Sequence, residues 1–123
     1  MLSITKYFEF ESAHKLPFYR GKCNNLHGHT YKMEIEIDGP ATRKKPPDGM
    51  ILDFVDLKSL VQTHIIDKYD HTMLNYIVEN PTAENLVEEI VKTLQGVFKK
   101  NLVRVRLWET SNSYAEWKRD ESK

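Results

Sequence analysis

The chain has 123 residues, and its 18 Lys and Arg residues balance its 18 Asp and Glu residues, which gives a formal net charge of zero. This length predicts a single domain, 1–123, with a modest core. A net charge of zero gives no support to nucleic acid or an anionic membrane as a partner. One cysteine cannot form an intrachain disulfide. The chain has neither a signal-peptide pattern nor the ~18 apolar residues of a membrane helix, so we expect a soluble cytoplasmic protein.

Two segments near the start of the chain, 3–14 and 29–38, alternate apolar and polar residues. This period of two is typical of half-buried antiparallel strands. The side chains expected to face inward are Ile4, Phe8, Phe10 and His14 in the first strand, and His29, Tyr31, Met33, Ile35 and Ile37 in the second. Each strand is therefore predicted to place a histidine in its inward row.

Two helices are predicted in the middle of the chain. Asp53 is a predicted N-cap for a helix running to about Lys68, and Thr82, after Pro81, is a predicted N-cap for the second helix. The residues expected on the buried faces are Phe54, Leu57, Leu60, Val61, His64 and Ile65 in the first helix, and Leu86, Val87, Ile90, Leu94, Val97 and Phe98 in the second.

The last part of the chain alternates again. A third strand is expected to point Val103, Val105 and Leu107 inward, and a short fourth strand follows the turn at Asn112 and Ser113. The order ββααββ predicts an α+β domain in which two helices cover one face of an antiparallel sheet.

Three of the five histidines, His14, His27 and His29, fall within sixteen residues. Residues at i and i+2 of a strand point to the same side, so His27 and His29 can bind one ion. If the first two strands pair antiparallel, His14 lies beside His27 and His29. Three histidines with an open fourth position are typical of catalytic zinc, and we predict a Zn²⁺ site here.

Cys23 falls between His14 and His27, in a polar stretch that we expect to form a loop. As a fourth ligand it would close a structural zinc site. As a free thiol beside the metal it would ionise readily and serve as a base or nucleophile. The spacing alone leaves both alternatives open.

Two further positions carry candidate chemistry. Asp70 and His71 follow the first helix, and an Asp can orient a histidine for acid–base catalysis, although adjacent residues face each other only in an irregular turn. Glu109 is in phase with Val105 and Leu107, so it ends an inward apolar row with a carboxylate that can accept two parallel N–H bonds. The alternatives are a solvated helix end and a strand end that emerges into solvent.

Six short motifs occur in order along essentially the whole chain. They are F-E-S-A-H (10–14), C-N-N-L-H-G-H (23–29), L-D-F (52–54), Y-D-H with L-N after it (69–75), N-P-T-A-E-N-L (80–86) and W-E-T (108–110). This ordered set resembles the 6-pyruvoyl-tetrahydropterin synthase family. The three-residue spacing between Cys23 and H-G-H resembles the 6-carboxytetrahydropterin synthase branch of queuosine biosynthesis, because the animal enzymes usually have two more residues there.

The resemblance implies a role for each candidate residue. The implied zinc ligands are His14, His27 and His29, the implied acid–base groups are Cys23, Asp70 and His71, and the implied anchor of the pterin 2-amino/N3 edge is Glu109. It also implies the tunnelling fold (T-fold), in which ββααββ subunits form a trimeric barrel. Two trimers usually stack into a homohexamer, with active sites between subunits.

The implied substrate is 7,8-dihydroneopterin triphosphate. In the carboxypterin branch the implied products are 6-carboxy-5,6,7,8-tetrahydropterin, acetaldehyde and triphosphate, whereas in the pyruvoyl branch only triphosphate leaves. Two other classes stay open. A zinc-free aldolase of the dihydroneopterin type would not need the three histidines, and an oligomeric zinc-binding protein without enzymatic activity would use Cys23 to close its site.

Overall fold

The computed structural model describes residues 2–17, 25–40 and 49–121, and in these ranges five strands form one sheet. The strands are β1 (Leu2–His14), β2 (His27–Gly39), β3 (Thr72–Met73), β4 (Leu102–Thr110) and β5 (Ser113–Lys118). Their order across the sheet is β3-β1-β2-β4-β5, with β3 parallel to β1 and every other pair antiparallel. The four predicted strands are confirmed. The two-residue β3 was not predicted, because it is too short to carry an alternating pattern.

The helices begin at the predicted caps. Helix α1 (Phe54–Val61) continues through a π-helical turn, Gln62–Ile66, into α2 (Asp67–Tyr69), and α3 spans Ala83–Phe98. The Asp53 carboxylate accepts a hydrogen bond from the Val55 N–H at 2.8 Å. The Thr82 hydroxyl accepts one from the Asn85 N–H at 3.1 Å. Each side chain satisfies a backbone donor that the first helical turn leaves free.

Two residues predicted to lie on the buried face of the first helix are exposed instead. Phe54 is 51% exposed and His64 is also on the surface. Phe54 is the first residue of α1 and lies at the margin of the core. The π-helical turn changes the periodicity, because its i→i+5 bonds add a residue to the turn. The buried row therefore passes from Val61 to Ile65 and Ile66 and leaves His64 outside.

Most of the side chains predicted to face inward in β1, β2 and α3 are buried. Fully or nearly fully buried side chains in these elements are Phe8, Phe10, Tyr31, Met33, Ile35, Ile37, Leu86, Val87, Ile90, Val91, Leu94 and Phe98. In β4 the prediction for Val103 is wrong, because this residue is only half-buried. A register shift between Glu36 and Ile37 pairs Ile37 with Leu102, so Leu102 takes the inward position.

The long pairing of β1 with β2 positions the candidate site. It is continuous from Leu2 opposite Gly39 to His14 opposite His27. The two strands therefore bring their histidines together at one end of the sheet. Within the described part of the chain, no helix is long and apolar enough to cross a membrane.

Candidate metal centre and active site

The side chains of His14, His27 and His29 converge at the end of the β1–β2 pair. One nitrogen from each ring lies within 4.8 Å of the other two. His14 is fully buried, and the other two histidines are half-buried. The structure thus brings together the three predicted ligands, as the shared inward phase of His14 and His29 requires.

Backbone carbonyls orient two of the rings. Nδ1 of His14 lies 2.9 Å from the Pro81 carbonyl oxygen, and Nδ1 of His27 lies 2.7 Å from that of Asn25. A carbonyl only accepts, so each Nδ1 carries the proton and donates it. In the neutral form of each ring this leaves a lone pair on Nε2, as in histidines that bind metals.

The third ring, that of His29, also has a nitrogen available to a ligand. Nε2 of His29 is buried and has no hydrogen-bond partner among the described residues. Burial lowers the pKa of His29, against the opposing effect of the Glu109 carboxylate, and this favours the neutral imidazole. A buried nitrogen without a partner is costly unless a cation or donor satisfies it. This donor set fits the metal site expected at His14, His27 and His29.

The carboxylate of Glu109 lies next to this cluster. Its two oxygens are 3.9 Å from Nε2 of His14 and 3.9 Å from Nε2 of His29. The side chain is 29% exposed and lines a cavity of about 580 Å³, together with residues at the start of α3 and in β5 that include Ala83 and Ser113. Glu109 follows the buried Val105 and Leu107, as the sequence phase predicted, and its carboxylate faces the histidines.

Asp70 and His71 form the irregular turn that their pairing requires. Asp70 is extended after the last residue of α2, and His71 adopts the left-handed region with φ of 54°. This turn places Oδ2 of Asp70 3.0 Å from Nδ1 of His71. A hydrogen bond from the Glu11 N–H is the main cause that lowers the pKa of Asp70, with a smaller effect of His71. The Asp70 carboxylate is therefore charged beside an imidazole ring that is 76% exposed.

One surface cavity is lined by residues of both the histidine cluster and the Asp70–His71 turn. A depression of about 600 Å³ is lined by His29 of the histidine cluster and by His71, together with Glu11, Ser12, Ala13, Gly28, Thr30, Thr72 and Met73. A molecule in this depression can therefore contact His29 and His71 together. Cys23, the other predicted acid–base residue, lies outside the described residues.

Sequence reasoning gave no role to Asn75, which holds the chain beyond His14. Its carboxamide donates to the Lys15 carbonyl at 2.7 Å and accepts from the Lys15 N–H at 2.9 Å. These bonds fasten the 74–76 turn to the residue that follows a predicted metal ligand. Asn75 forms these bonds with main-chain atoms, which every residue has, so the bonds cannot be predicted from residue types. The sequence indicated Asn75 only through its place in the 69–75 motif.

Known proteins resemble the chain over nearly its full length. A 6-carboxy-5,6,7,8-tetrahydropterin synthase from Haemophilus influenzae is 34% identical, over 95% of this chain and 99% of the relative. A protein of Archaeoglobus fulgidus described as a putative 6-carboxy-5,6,7,8-tetrahydropterin synthase is 40% identical over 89% of this chain and 90% of its own. A dihydroneopterin monophosphate aldolase from Pyrococcus furiosus is 36% identical, over 81% of this chain and 82% of the relative.

The fold is also similar to a solved structure. The 6-pyruvoyl tetrahydropterin synthase of Caenorhabditis elegans superposes with a TM-score of 0.81 at 25% identity, over 97% of this chain and 96% of that one. The profile of the family described as 6-pyruvoyl tetrahydropterin synthase matches residues 3–120. The chain therefore belongs to the 6-pyruvoyl tetrahydropterin synthase family.

Proposed function

We propose that this protein converts 7,8-dihydroneopterin triphosphate into 6-carboxy-5,6,7,8-tetrahydropterin, with release of acetaldehyde and triphosphate. The observation that carries the proposal is that His29 and His71 line one cavity, with the Asp70 carboxylate 3.0 Å from the His71 ring. The relatives from Haemophilus influenzae and Archaeoglobus fulgidus support this choice of product.

The proposed cofactor is one zinc ion bound by Nε2 of His14, His27 and His29. The orientation of two rings by carbonyls and the buried, unpartnered Nε2 of His29 support this assignment. When bound, zinc supplies a Lewis acid that polarises oxygen atoms of the substrate side chain. The remaining steps depend on side chains of the protein.

The proposed proton transfers use Cys23 and His71. The Cys23 thiolate removes a proton from the substrate side chain, and His71 exchanges protons on the other side through Nε2. Asp70 holds Nδ1 of His71, which fixes the tautomer and stabilises the imidazolium ion that forms. The role of Cys23 rests on its place in the C-N-N-L-H-G-H motif.

Glu109 is the proposed anchor of the pterin ring. The pterin presents a 2-amino group and an adjacent N3–H, and a carboxylate accepts both in parallel. The position of Glu109, between the histidine cluster and the 580 Å³ cavity, supports this role. A pterin in that cavity could direct its side chain towards the metal site.

An aldolase is the second candidate, because the relative from Pyrococcus furiosus carries that name at 36% identity. Aldol cleavage breaks the side chain without eliminating phosphate, so the released aldehyde keeps its phosphate group. Incubation with dihydroneopterin triphosphate and, separately, with the monophosphate, followed by mass spectrometry, distinguishes the candidates. We expect 6-carboxytetrahydropterin from the triphosphate. A 6-pyruvoyl product would place the protein in the other branch, and a phosphorylated aldehyde would make it an aldolase.

We further propose that the active protein is a cytoplasmic homohexamer built as a dimer of trimers. The described sheet ends in the two-residue β3 on one side and in the six-residue β5 on the other. Open sheet edges are normally covered or paired, and closing three sheets into a barrel would pair them. Light scattering should give six subunits, whereas a stable, active monomer would contradict the proposal.

A further inference from the structure

We propose that Glu11 is a second carboxylate of the acid–base group, which stabilises the protonated ring of His71 and transfers its proton to solvent. This inference rests on the proposed function, since it assigns Glu11 to the same reaction. Apart from its place in the F-E-S-A-H motif, nothing in the sequence indicates a role for Glu11, because it lies in the polar phase of β1 and is exposed.

The main chain of Glu11 holds the Asp70–His71 turn. The Glu11 N–H donates to Oδ1 of Asp70 at 2.8 Å, and the Glu11 carbonyl accepts the His71 N–H at 2.6 Å. These two bonds fix the turn against β1 independently of the Glu11 side chain. A substitution at Glu11 therefore changes the carboxylate while leaving the backbone bonds in place.

The side chain of Glu11 approaches the other nitrogen of the His71 ring. Its Oε2 lies 4.0 Å from Nε2 of His71, while Asp70 lies 3.0 Å from Nδ1. The second oxygen, Oε1, accepts a hydrogen bond from the hydroxyl of Thr30 at 3.1 Å. Thr30 is the residue opposite Glu11 in the β1–β2 pair, so the neighbouring strand holds the carboxylate. The imidazole ring lies between two carboxylates, one for each nitrogen.

Glu11 also lines the 600 Å³ cavity that contains His29 and His71. Among the residues that the structure describes, the charged groups beside the His71 ring are Asp70 and Glu11, with His29 in the same cavity wall. Because 65% of the Glu11 side chain is exposed, its carboxylate is open to solvent as well as to the cavity. It is placed to connect the reacting group with solvent.

The proposed transfer is a movement of protons alone. A substrate O–H bond breaks as Nε2 of His71 takes the proton, while Asp70 keeps the Nδ1–H in place. The new N–H bond then breaks and the proton passes to Oε2 of Glu11. A small rotation of either exposed side chain, or one water molecule, bridges the 4.0 Å separation. Glu11 releases the proton to water, and the reverse sequence returns a proton to the substrate.

Turnover of three variants tests this role in the zinc-loaded protein. Glu11→Gln keeps the shape and removes the charge, and we expect kcat to fall roughly 10–100-fold, with KM within about twofold of the parent value. Glu11→Ala should recover part of the lost rate when formate or acetate is added. The matched control is Glu9→Gln, because Glu9 is an exposed residue of the same face of β1, opposite Lys32, and should behave as the parent.

A second measurement does not require the proposed reaction. Diethylpyrocarbonate reacts with an imidazole ring only in its unprotonated form, and a nearby carboxylate favours the protonated form. At pH 6 the modification of His71, followed by mass spectrometry of its peptide, should be about two- to fivefold faster in Glu11→Gln than in the parent or in Glu9→Gln.

The outcomes separate the two proposals. If the parent makes no pterin product but Glu11→Gln speeds modification of His71, the proposed function fails and the Glu11–His71 interaction stands. If the parent turns over and Glu11→Gln matches it in both rate and modification, the role of Glu11 is overturned. A rise in KM without rescue of Glu11→Ala would also overturn it, because it would indicate a role in binding alone.

Discussion

The Nε2 atoms of His14 and His27 lie 2.9 Å apart, although the Nδ1 atom of each ring donates to a backbone carbonyl. Two neutral rings oriented in this way present their lone pairs to each other. Such an arrangement is repulsive unless a positive charge lies between the nitrogens. With the unpartnered Nε2 of His29 beside them, the geometry favours a cation bound at this point.

Metal analysis tests the ligand set directly. We expect one zinc ion per chain in the parent and a loss of most of it in His14→Ala and His29→Ala, because each change removes one of three ligands. His64→Ala is the matched control, since His64 is an exposed histidine on the first helix. Cys23→Ala should keep its zinc. Loss of zinc from the cysteine variant would instead indicate a closed structural site.

Substitution of the two proton-transfer residues should reduce turnover while the fold survives. His71→Asn is preferable to an alanine variant because His71 has φ of 54°, a left-handed conformation that asparagine adopts readily. We expect His71→Asn and Cys23→Ala to reduce kcat by ~10²–10⁴-fold. Circular dichroism and zinc content serve as controls. Turnover near the parent rate in either variant would remove that residue from the mechanism.

Asp70 should contribute to stability in a pH-dependent way. Its pKa in the folded protein is below the ordinary value of 3.8, chiefly because of the Glu11 N–H. The ionised carboxylate therefore stabilises the fold above that value, and the contribution is lost as the pH falls through the lowered pKa.

Thermal unfolding in the presence of a chelator checks this sign. Asp70→Asn should melt at a lower temperature than the parent at pH 7, and the difference should shrink as the pH falls below 3.8. Glu79→Gln, at an exposed carboxylate, should show no such trend. A difference that grows in acid would mean that Asp70 does not interact favourably as the charged form.

Glu109→Gln tests recognition of the pterin ring. The substitution keeps the shape but turns one acceptor into a donor, which mismatches the two adjacent N–H groups of the pterin. Loss of a buried charged hydrogen-bond pair should weaken binding by ~2–5 kcal/mol, as measured by calorimetry with 7,8-dihydroneopterin. Zinc content should be retained through the histidines. Unchanged affinity would mean that the pterin is held elsewhere.

Residue periodicity was sufficient to predict four of the five described strands and the histidine cluster. His29 shares the phase of Tyr31, and His14 shares that of Phe10, so antiparallel pairing alone brings the two rings together. The same argument placed Glu109 at the end of the inward row of β4. These predictions succeeded because the spacing between two residues of a strand determines whether their side chains point to the same face of the sheet.

Features that depend on irregular backbone were not predictable in the same way. The π-helical turn exposed His64, and a register shift moved the inward position from Val103 to Leu102. The positive φ of His71 and the contacts of Glu11 with the Asp70–His71 turn depend on main-chain hydrogen bonds between segments distant in sequence. Almost any residue can form such main-chain hydrogen bonds, so the sequence gives little information about them.

The release of acetaldehyde from 7,8-dihydroneopterin triphosphate tests the central claim most directly. The zinc-loaded protein, assayed with alcohol dehydrogenase and NADH, should yield one acetaldehyde for each substrate consumed, and His71→Asn should yield almost none. Triphosphate release without acetaldehyde would contradict the account, because carbon–carbon cleavage defines the proposed reaction.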